Sequence, residues 1–556
     1  SALVAMSASA ALAWLLNVCF GVTAEFPGVT YDDVTELLQS KVNNLESKQH
    51  KALWFTDLHA DPYYLTDVRQ CVKTPLDKLR QFEFGVMGCD PPPRLLSATM
   101  KAVKSEALET NAAFALFTGD YSRHQMGMME DPYANVSQII GQVSSIFNQH
   151  IPKIDKIFGD LGNDDNPRNY FVNITTDQPT NGWFKTCGHQ IQRAHCMTPS
   201  TREQYDYGSY FEIRMGKYSI LNLATVMYSV SHTPIGTSGE DPFHQFQWLR
   251  SKLTEAARSN RKVWLTGHIP PGIETYGYTQ LWHPRFVEEY LSIVQDEVMG
   301  SVIAAQLFGH VHKDEIRTLP KAPPGAGPIF LSLSLSPVYY NYPAFKQVTW
   351  DENGAFLDYE VFFTQTFGET IEYGSGYSFL DLYGFTNLTM KTLEHLALDL
   401  SNGKEQWQRY AKWYSAGYPN HLTSFAVSSN DSPQEAKQKE LRRLQYVCAV
   451  QIRTQDSYED CVLSSAGKGA DIFGPKPKIA PLLAAIPTNL RGDDHLLIAR
   501  LLHWSQFHTA PEAKEILELA ERHQWKELLE TFGDVMEESW EKGVDMGDIL
   551  AHHPRS

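Results

Sequence analysis

The sequence predicts an α/β fold with antiparallel additions and a helical C-terminal part. Three observations carry that expectation. Short apolar runs such as Ala52–Phe55, Phe114–Phe117 and Val302–Phe308 have strand length and no helical period. Between them lie segments with apolar residues at helical spacing, and after the last comes a run of strands. Five of the apolar runs also lead into residues of metal-ligand type, and in open α/β sheets sites form at the carboxyl ends of strands.

Taken in order, residues 26–50 read as a short helical lead-in. Ala52–Phe55 is a strand followed by Thr56-Asp57-Leu58-His59, then a cysteine-bounded loop over 60–93 that ends rich in proline. Leu95, Leu96, Thr99, Val103 and Leu108 predict a helix over 94–111. Phe114–Phe117 ends in Thr118-Gly119-Asp120. A helix near 133–149 leads to Lys156-Ile157-Phe158 and then Gly159-Asp160-Leu161-Gly162-Asn163-Asp164-Asp165. Residues 166–206 read as a long polar insertion. Strands resume at Ser209–Arg214 and Tyr218–Ala224, a helix follows over about Asp241–Ala257, and Lys262–Leu265 ends in Thr266-Gly267-His268. A helix near 283–298 precedes Val302–Phe308, which runs into Gly309-His310-Val311-His312. Ile329–Leu335, Gln347–Asp351 and Phe356–Phe363 are further strands, the last two joined at Asn353-Gly354, a strong hairpin signal. Beyond 390 the chain turns helical, with candidates at 404–414 and 433–450. A Gly/Pro/Lys-rich linker spans 465–480. Amphipathic helices are expected over 481–550, anchored by Leu501, Leu502, Ile516, Leu517, Leu519 and Leu528.

The 556 residues carry 42% hydrophobic and 20% charged side chains, which suits a large globular core. A formal charge of -17 and a pI of about 5.6 leave no basic footprint for nucleic-acid phosphates. Ala2–Ala24 holds no charged residue and ends in Val22-Thr23-Ala24 before Glu25. It reads either as a signal peptide or, being long enough to span, as a retained membrane anchor that would associate the chain with a bilayer. Outside it, six cysteines form three local groups: Cys71 with Cys89, Cys187 with Cys196, and Cys448 with Cys461. Six cysteines allow fifteen connectivities, so local pairing is one choice among them. Sequons at Asn135, Asn173, Asn387 and Asn430 join the apolar leader and the even cysteine count in favouring the secretory pathway. Extracellular fluid or a lysosome- or vacuole-like compartment is the expected location, with a cytosolic enzyme bearing free thiols as the alternative.

The five run ends supply Asp57-x-His59, Gly119-Asp120, Gly162-Asn163, Gly267-His268 and Gly309-His310-x-His312. Glycine stands before the ligand in four of them, where it is expected to let the backbone turn sharply. Asp, Asn and neutral His give mixed oxygen and nitrogen ligands that suit Zn, Mn or Fe better than Ca or a thiolate site. Seven such ligands with one shared carboxylate would hold two metals about 3.5–4 Å apart. Such a pair activates a water and clamps a phosphoryl group.

That ordered set resembles the calcineurin-like metallophosphoesterases. Phe55-Thr56-Asp57-Leu58-His59-x-Asp61-Pro62-Tyr63-Tyr64, Gly267-His268-Ile269-Pro270-Pro271-Gly272 and Ser336-Pro337-Val338-Tyr339 are closer still to the acid sphingomyelinase-like phosphodiesterase and endopolyphosphatase branch. The stretch from Tyr446-Val447-Cys448 to Asp460-Cys461 is similar to that branch's C-terminal helical cap. The resemblance covers about residues 50–463. It implies a four-layer α/β/β/α sandwich, with a catalytic domain over 51–390 and a helical cap over 391–464; the helical extension over 481–556 lies beyond the resemblance. It also implies one metal held by Asp57, His59, Asp120 and His312. The second would be held by Asp120, Asn163, His268 and His310. The activity implied is hydrolysis of phosphodiester or phosphoanhydride bonds by a metal-bound hydroxide. The substrates are nucleotide-type diesters, polyphosphate or, more distantly, sphingomyelin, since residues 25–50 lack the cysteines of a saposin-type module.

By the same resemblance His124, four residues after Asp120, contacts the phosphate or protonates the leaving oxygen. The family usually writes Gly-Asn-His-Asp/Glu, where this chain has Gly162-Asn163-Asp164-Asp165; endopolyphosphatase-like members also tend to lack that histidine, having Asn-Asn-Asp. Asp164 can serve as an acid at low pH or with a pKa raised by burial. Ionised beside two cations, it would instead repel a phosphate and leave the acid role to His124. A rival reading follows: a catalytically reduced or inactive member acting as a structural subunit, with 481–556 as its protein-interaction element. Arg123, Arg168 and Lys313 flank the motif loops as phosphate contacts or solvated surface residues. Tyr339, Tyr340, Tyr342 and Phe345 would stack on a base or meet a lipid, or else pack as core and rim.

Overall fold

The computed structural model describes residues 49–104, 112–191, 198–234, 236–275, 277–402, 404–428, 430–465, 498, 501–502 and 511–542. Strand β1 is Gln49–Phe55. Helices α1 (Leu76–Gln81) and α2 (Pro93–Val103) precede β2 (Ala112–Phe117). Helix α3 (Pro132–His150) leads to β3 (Asp155–Phe158). Asp131 caps α3 by accepting from the Ala134 N–H, and Pro132 opens its first turn. β1, β2 and β3 pair in parallel. Their apolar runs fit that pairing, because a parallel sheet is covered on both faces. Phe147 of α3 covers one face, its ring 5.5 Å from Phe55 and 4.4 Å from Phe117.

The polar insertion is not structureless. It holds α4 (Gly182–Ile191) and α5 (Pro199–Gly208). Thr198 accepts from the Thr201 N–H with Pro199 at the first helical position, a start signal the sequence reading passed over. Then come β4 (Phe211–Met215), β5 (Tyr218–Leu223), α6 (Gln245–Arg258), β6 (Lys262–Gly267) and α7 (Pro284–Val294). β7 (Ile303–Phe308), β8 (Glu315–Arg317) and β9 (Ile329–Leu331) follow. These strands form one six-stranded sheet in the order β4-β5-β6-β7-β9-β8. Its middle strands β5, β6, β7 and β9 run parallel, and β4 and β8 pair antiparallel at its edges.

β10 (Ala344–Asp351), β11 (Phe356–Thr366) and β12 (Glu372–Ser378) return to the first sheet, whose order is β12-β11-β10-β1-β2-β3. The β10–β11 hairpin turns at Asn353-Gly354 as expected. Gly354 has φ 87° there, and an added Cβ would meet Tyr218 Cβ at 2.4 Å, so the turn takes glycine for two reasons. β8 and β12 had no sequence forecast. β8 is only three residues long, and six of the seven residues of β12 are glycine, serine or tyrosine, without the alternation that marks a strand.

The two sheets meet through a layer of aromatic rings. Trp264 of β6 lies 5.3 Å from Trp350 of β10 and 6.2 Å from Phe114 of β2, while Phe330 of β9 lies 4.9 Å from Tyr359 of β11. Each ring is buried, which is worth roughly 1.5–3 kcal/mol per side chain. With α3 outside the first sheet and α6 and α7 outside the second, the order of layers is α/β/β/α, the fold class the sequence implied.

The helical part comprises α8 (Phe379–Tyr383), α9 (Met390–Asn402), α10 (Lys404–Trp413), α11 (Pro433–Ala449) and α12 (Gln455–Ser465). Ser432 and Glu435 form a capping box at the start of α11, and the Cys448–Cys461 disulfide joins α11 to α12. Buried Arg317 of β8 donates to the carbonyls of Ile273 and Ala449, fastening this part to the second sheet. Of the extension, α13 (Pro511–Glu521) and α14 (Trp525–Lys542) are described. Leu501, Leu502, Ile516, Leu519 and Leu528 are buried, and Leu517 is half-buried. The leader 1–24, most of the lead-in 25–50 and the linker beyond Ser465 lie outside the described residues. Among the described residues no helix is long and apolar enough to cross a membrane.

Candidate metal centre

The carboxyl ends of β1, β2, β6 and β7 converge where the two sheets meet, and every residue of the expected ligand set lies there. Asp57 and His59 follow β1, Asp120 follows β2, His268 follows β6, and His310 and His312 follow β7. Asn163 is different. β3 ends at Phe158, so Asn163 sits on a loop five residues beyond the strand end, farther out than any other ligand of the set.

Two clusters share this space. Asp57, His59 and His312 form one, with His312 Nε2 3.3 Å from Asp57 Oδ1 and 3.1 Å from His59 Nε2. Asp120, His268 and His310 form the other, with His268 Nε2 3.1 Å from Asp120 Oδ2 and 3.2 Å from Asn163 Oδ1. Asp120 lies between them, its Oδ2 also 3.4 Å from His59 Nε2.

The chemistry of the donor atoms tests whether cations fit. His59 Nδ1 faces the Ser122 carbonyl at 3.1 Å, and His268 Nδ1 faces the Thr118 carbonyl at 2.7 Å. Each of those nitrogens therefore carries the proton, leaving Nε2 a bare lone pair. His268 Nε2 then points at two oxygens and His59 Nε2 at a carboxylate and another imidazole. Lone pairs crowded in this way repel unless a positive charge sits among them. Without a metal only extra protons could supply it. Burial opposes that at His268, but Asp120 beside it prevails and raises His268 to about 10. At His59, burial together with His124, His312 and His268 holds the imidazole well below its usual value. The residues fit metal cations.

The backbone is built for this crowding. Asp57 (φ 49°), His59 (φ 43°), Asp120 (φ 54°), His310 (φ 73°) and His312 (φ 63°) all occupy the left-handed region. A non-glycine residue there costs about 1–3 kcal/mol. Hydrogen bonds across the strand ends hold the conformation. Leu58 and His59 N–H both donate to Asp120 O at 2.8 and 3.0 Å, and His310 N–H donates to both Asp57 carboxylate oxygens. The glycines before the ligands work differently from expectation. Gly119 does turn at φ 85°, but Gly162, Gly267 and Gly309 have no positive φ. They are needed for space. A Cβ at Gly309 would meet Thr56 Oγ1 at 2.1 Å, and one at Gly162 would meet Asp120 Oδ1 at 2.0 Å.

Beside the clusters, His124 stacks on His59 with ring centres 4.0 Å apart. Its Nδ1 lies 3.0 Å from both oxygens of Asp90, and its Nε2 3.0 Å from the Tyr339 hydroxyl and 3.7 Å from Asp164 Oδ2. Burial lowers the imidazole's proton affinity, but Asp90, Tyr339 and Asp164 outweigh it, and His124 is raised well above its usual value. Asp164 accepts from Asn163 Nδ2 at 2.7 Å, its N–H donates to Asp120 Oδ1 at 2.9 Å, and burial raises its carboxyl well above the usual range.

The roles of four supporting residues escaped the sequence reading. Asp90 follows Cys89, which pairs with Cys71, so the disulfide delivers a carboxylate to His124. Asp160 accepts from Thr225 N–H and hydroxyl and from His268 N–H. Asp165 accepts from the N–H groups of Tyr121, Ser122 and Gly162, tying the loop after β2 to the loop after β3. Tyr339 was visible as the end of the Ser336-Pro337-Val338-Tyr339 motif and as one of several tyrosines, but without its contact to His124. Its neighbours are packing residues: Phe345 is buried and stacks on Phe362, and Tyr342 meets Tyr418 edge-on.

Lys313 is buried rather than solvated, donates to Tyr339 O, and falls to about 7 through burial. Arg123 is also buried, stacked over Tyr63 at 5.6 Å, with Asp61 Oδ1 3.8 Å from its Nε. Arg168 is exposed. Cys187 is buried, and its expected partner Cys196 lies outside the described residues. Asn173, Asn387 and Asn430 are exposed, whereas Asn135 is half-buried within α3, where its amide bonds to Asp131 O and Tyr63.

Known proteins similar to this chain are found among curated relatives. A mouse acid sphingomyelinase-like phosphodiesterase 3b is 26% identical over 462 residues, covering 78% of this chain and 93% of that protein. A sphingomyelinase phosphodiesterase D of Dictyostelium discoideum is 27% identical over 323 residues, covering 55% and 68%. The chain is similar to acid sphingomyelinase-like phosphodiesterases and to endopolyphosphatases. An endopolyphosphatase of Debaryomyces hansenii is 29% identical over 284 residues, which is 47% of this chain and 37% of the longer protein. No family model matches. Among solved structures, a dimetal phosphatase of Danio rerio has a TM-score of 0.33 at 12% identity, covering 59% of this chain and 98% of that one.

Proposed function

We propose that the chain is a metal-dependent phosphoesterase that hydrolyses phosphodiester or phosphoanhydride bonds. The observation that carries this is the Asp120 carboxylate set between two histidine clusters whose Nε2 lone pairs face one another and the carboxylates. Asp57, His59, Asp120 and His312 would hold one divalent cation, and Asp120, Asn163, His268 and His310 a second, with zinc the best match to the ligand types and Mn or Fe the alternatives. Bound there, the cations supply Lewis acidity to a phosphoryl oxygen and lower the pKa of water.

The chain's own residues do the rest. The Thr118 and Ser122 carbonyls fix the tautomers of His268 and His59. Asp90 orients His124 and keeps a proton on it, and Tyr339 holds its Nε2 toward the site, so His124 is the group that protonates the leaving oxygen. Asp164, with its proton retained by burial, donates a hydrogen bond rather than repelling a phosphate. The relatives' names and the two disulfides support a secretory route to an extracellular or lysosome-like compartment.

Protein loaded with Zn or Mn should cleave bis-p-nitrophenyl phosphate at about pH 5, where His124 is charged, and His310→Ala should abolish cleavage. Two cations bound without any cleavage would overturn the enzyme reading. It would favour a structural member disabled at Asp164.

A further inference from the structure

A second concavity lies on the side of the first sheet's helix α3 and helix α4, and takes no part in the site described above. It has a volume of about 630 Å³, within the range of roughly 300–1,000 Å³ usual for small-molecule sites. Its lining mixes aromatic faces with polar edges. Tyr133 and Trp183 supply two rings, 5.4 Å apart with planes at 86°, while Gln178 brings an exposed amide and Thr186 an exposed hydroxyl. Among the described residues it has no lysine or arginine, and its one carboxylate, Asp131, is engaged as the cap of α3. Such walls fit a neutral ligand that is apolar on its faces and hydroxylated at its edges.

Asn173 is part of that lining. It is exposed, and with Ile174 and Thr175 it forms one of the four sequons. One buried side chain ties this sequon to the aromatic wall. Asn181 Nδ2–H donates to Asn173 O at 2.8 Å and to Thr175 Oγ1 at 3.2 Å, and Asn181 Oδ1 accepts from the Trp183 N–H at 2.9 Å. The sequon and Trp183 are therefore held two hydrogen bonds apart. The Trp183 ring is fixed in turn, because its Nε1–H donates to Asp165 O at 3.2 Å. Asn387 and Asn430 are exposed as well, but they lie outside this cavity.

A pyranose ring answers that description. The slightly positive C–H bonds on its faces meet the negative face of an aromatic ring, and its hydroxyl and acetamide groups hydrogen-bond at the edge. We infer that the N-linked glycan of Asn173 is an intramolecular ligand, whose first N-acetylglucosamine units turn back into this cavity and stack on Trp183 and Tyr133. Attachment joins Asn173 Nδ2 to the anomeric carbon of the first sugar. The amide gives up a proton, and the sugar leaves its lipid diphosphate donor. Docking rests on the secretory route given above and is independent of the phosphoesterase reading.

Full-length protein secreted from a eukaryotic host is treated, natively folded, with an endoglycosidase that cuts between the first two N-acetylglucosamine units. Glycopeptide mass spectrometry reads each sequon over time, with denatured protein as the reference. Asn387 and Asn430 should be trimmed readily. Asn173 should be trimmed about tenfold more slowly, as for a glycan docked about nine-tenths of the time, and denaturation should remove the difference. Trp183→Ala and Tyr133→Ala should each bring the Asn173 rate toward that of the other two. Because Trp183 also holds the loop at Asp165, the exposed Tyr133 is the variant that leaves the fold intact, checked by circular dichroism. Asn173 without glycan while Asn387 and Asn430 are occupied, trimming at their rate, or protection unchanged in both variants overturns the inference. No glycan at any of these sequons overturns the secretory route and the inference with it, and cleavage of bis-p-nitrophenyl phosphate by that protein would leave the phosphoesterase reading standing.

Discussion

The two ends of the candidate site are made in different ways. At the metal end, Asp57, His59, Asp120, His268, His310 and His312 lie within four residues of their strand ends and are fixed by backbone. At the acid end, His124, Asp90, Tyr339 and Asp164 come from four separate loops and hold one another through side chains. The first is rigid because two sheets supply it, and it stores strain in five left-handed residues. The second depends on a disulfide, a tyrosine and a loop being placed together. Damage at the metal end should therefore remove the cations, whereas damage at the acid end should spare them and remove only the chemistry.

The largest expected effects separate the ends by metal content. Asp120→Asn or His310→Ala should lower diester cleavage by about 10³-fold or more and reduce bound metal below two per chain by elemental analysis. His124→Asn should lower cleavage by about 10²–10⁴-fold, the usual contribution of a general acid, with both metals retained. Metal loss in the His124 variant would erase the distinction. Asp90→Asn tests the acid end more finely. The Asp90 charge raises the proton affinity of His124, so an acid role is present below the raised pKa and lost as pH rises through it. Without that charge the alkaline limb of the pH–rate profile should move to lower pH, again with both metals bound.

The same division explains what could be read from the sequence. Ligand types at the ends of apolar runs are local patterns, so the metal end and the parallel strands beneath it were legible. So was the Asn353-Gly354 hairpin. Asp90 and Tyr339 were not, because each gains its role only by meeting His124 from a distance of 34 or 215 residues along the chain. The glycines show a subtler limit. Their positions were legible, but at Gly162 and Gly309 the need is room beside Asp120 and Thr56, which only the folded neighbours define. α4 and α5 were hidden in a polar stretch whose helices bury few apolar residues.

A smaller effect is expected from the Cys71–Cys89 bridge. It closes a loop of sequence separation 18, for which the chain-entropy estimate is about 3 kcal/mol. Replacing both cysteines with serine should lower the melting temperature. It should also lower cleavage through Asp90 while leaving the metal content at two. Cleavage unaffected by the loss of the bridge would mean that Asp90 is held by the protein core and not by the disulfide.

The smallest effect probes the strain at the metal end. His312 has φ 63° and is buried, and its Nδ1 has no hydrogen-bond partner among the described residues. Alanine and glycine each remove the imidazole and leave a similar hole, so both should lose metal equally. They differ in backbone cost. Alanine keeps the Cβ that disfavours the left-handed region, whereas glycine enters that region freely but loses more entropy on folding. In metal-free protein His312→Gly should therefore be more stable than His312→Ala by about 1 kcal/mol, read from denaturant midpoints. The reverse order is expected at His268, which is outside the left-handed region. If alanine is the more stable replacement at both positions, the strand ends carry no stored strain. The rigidity of the metal end would then come from its hydrogen bonds alone.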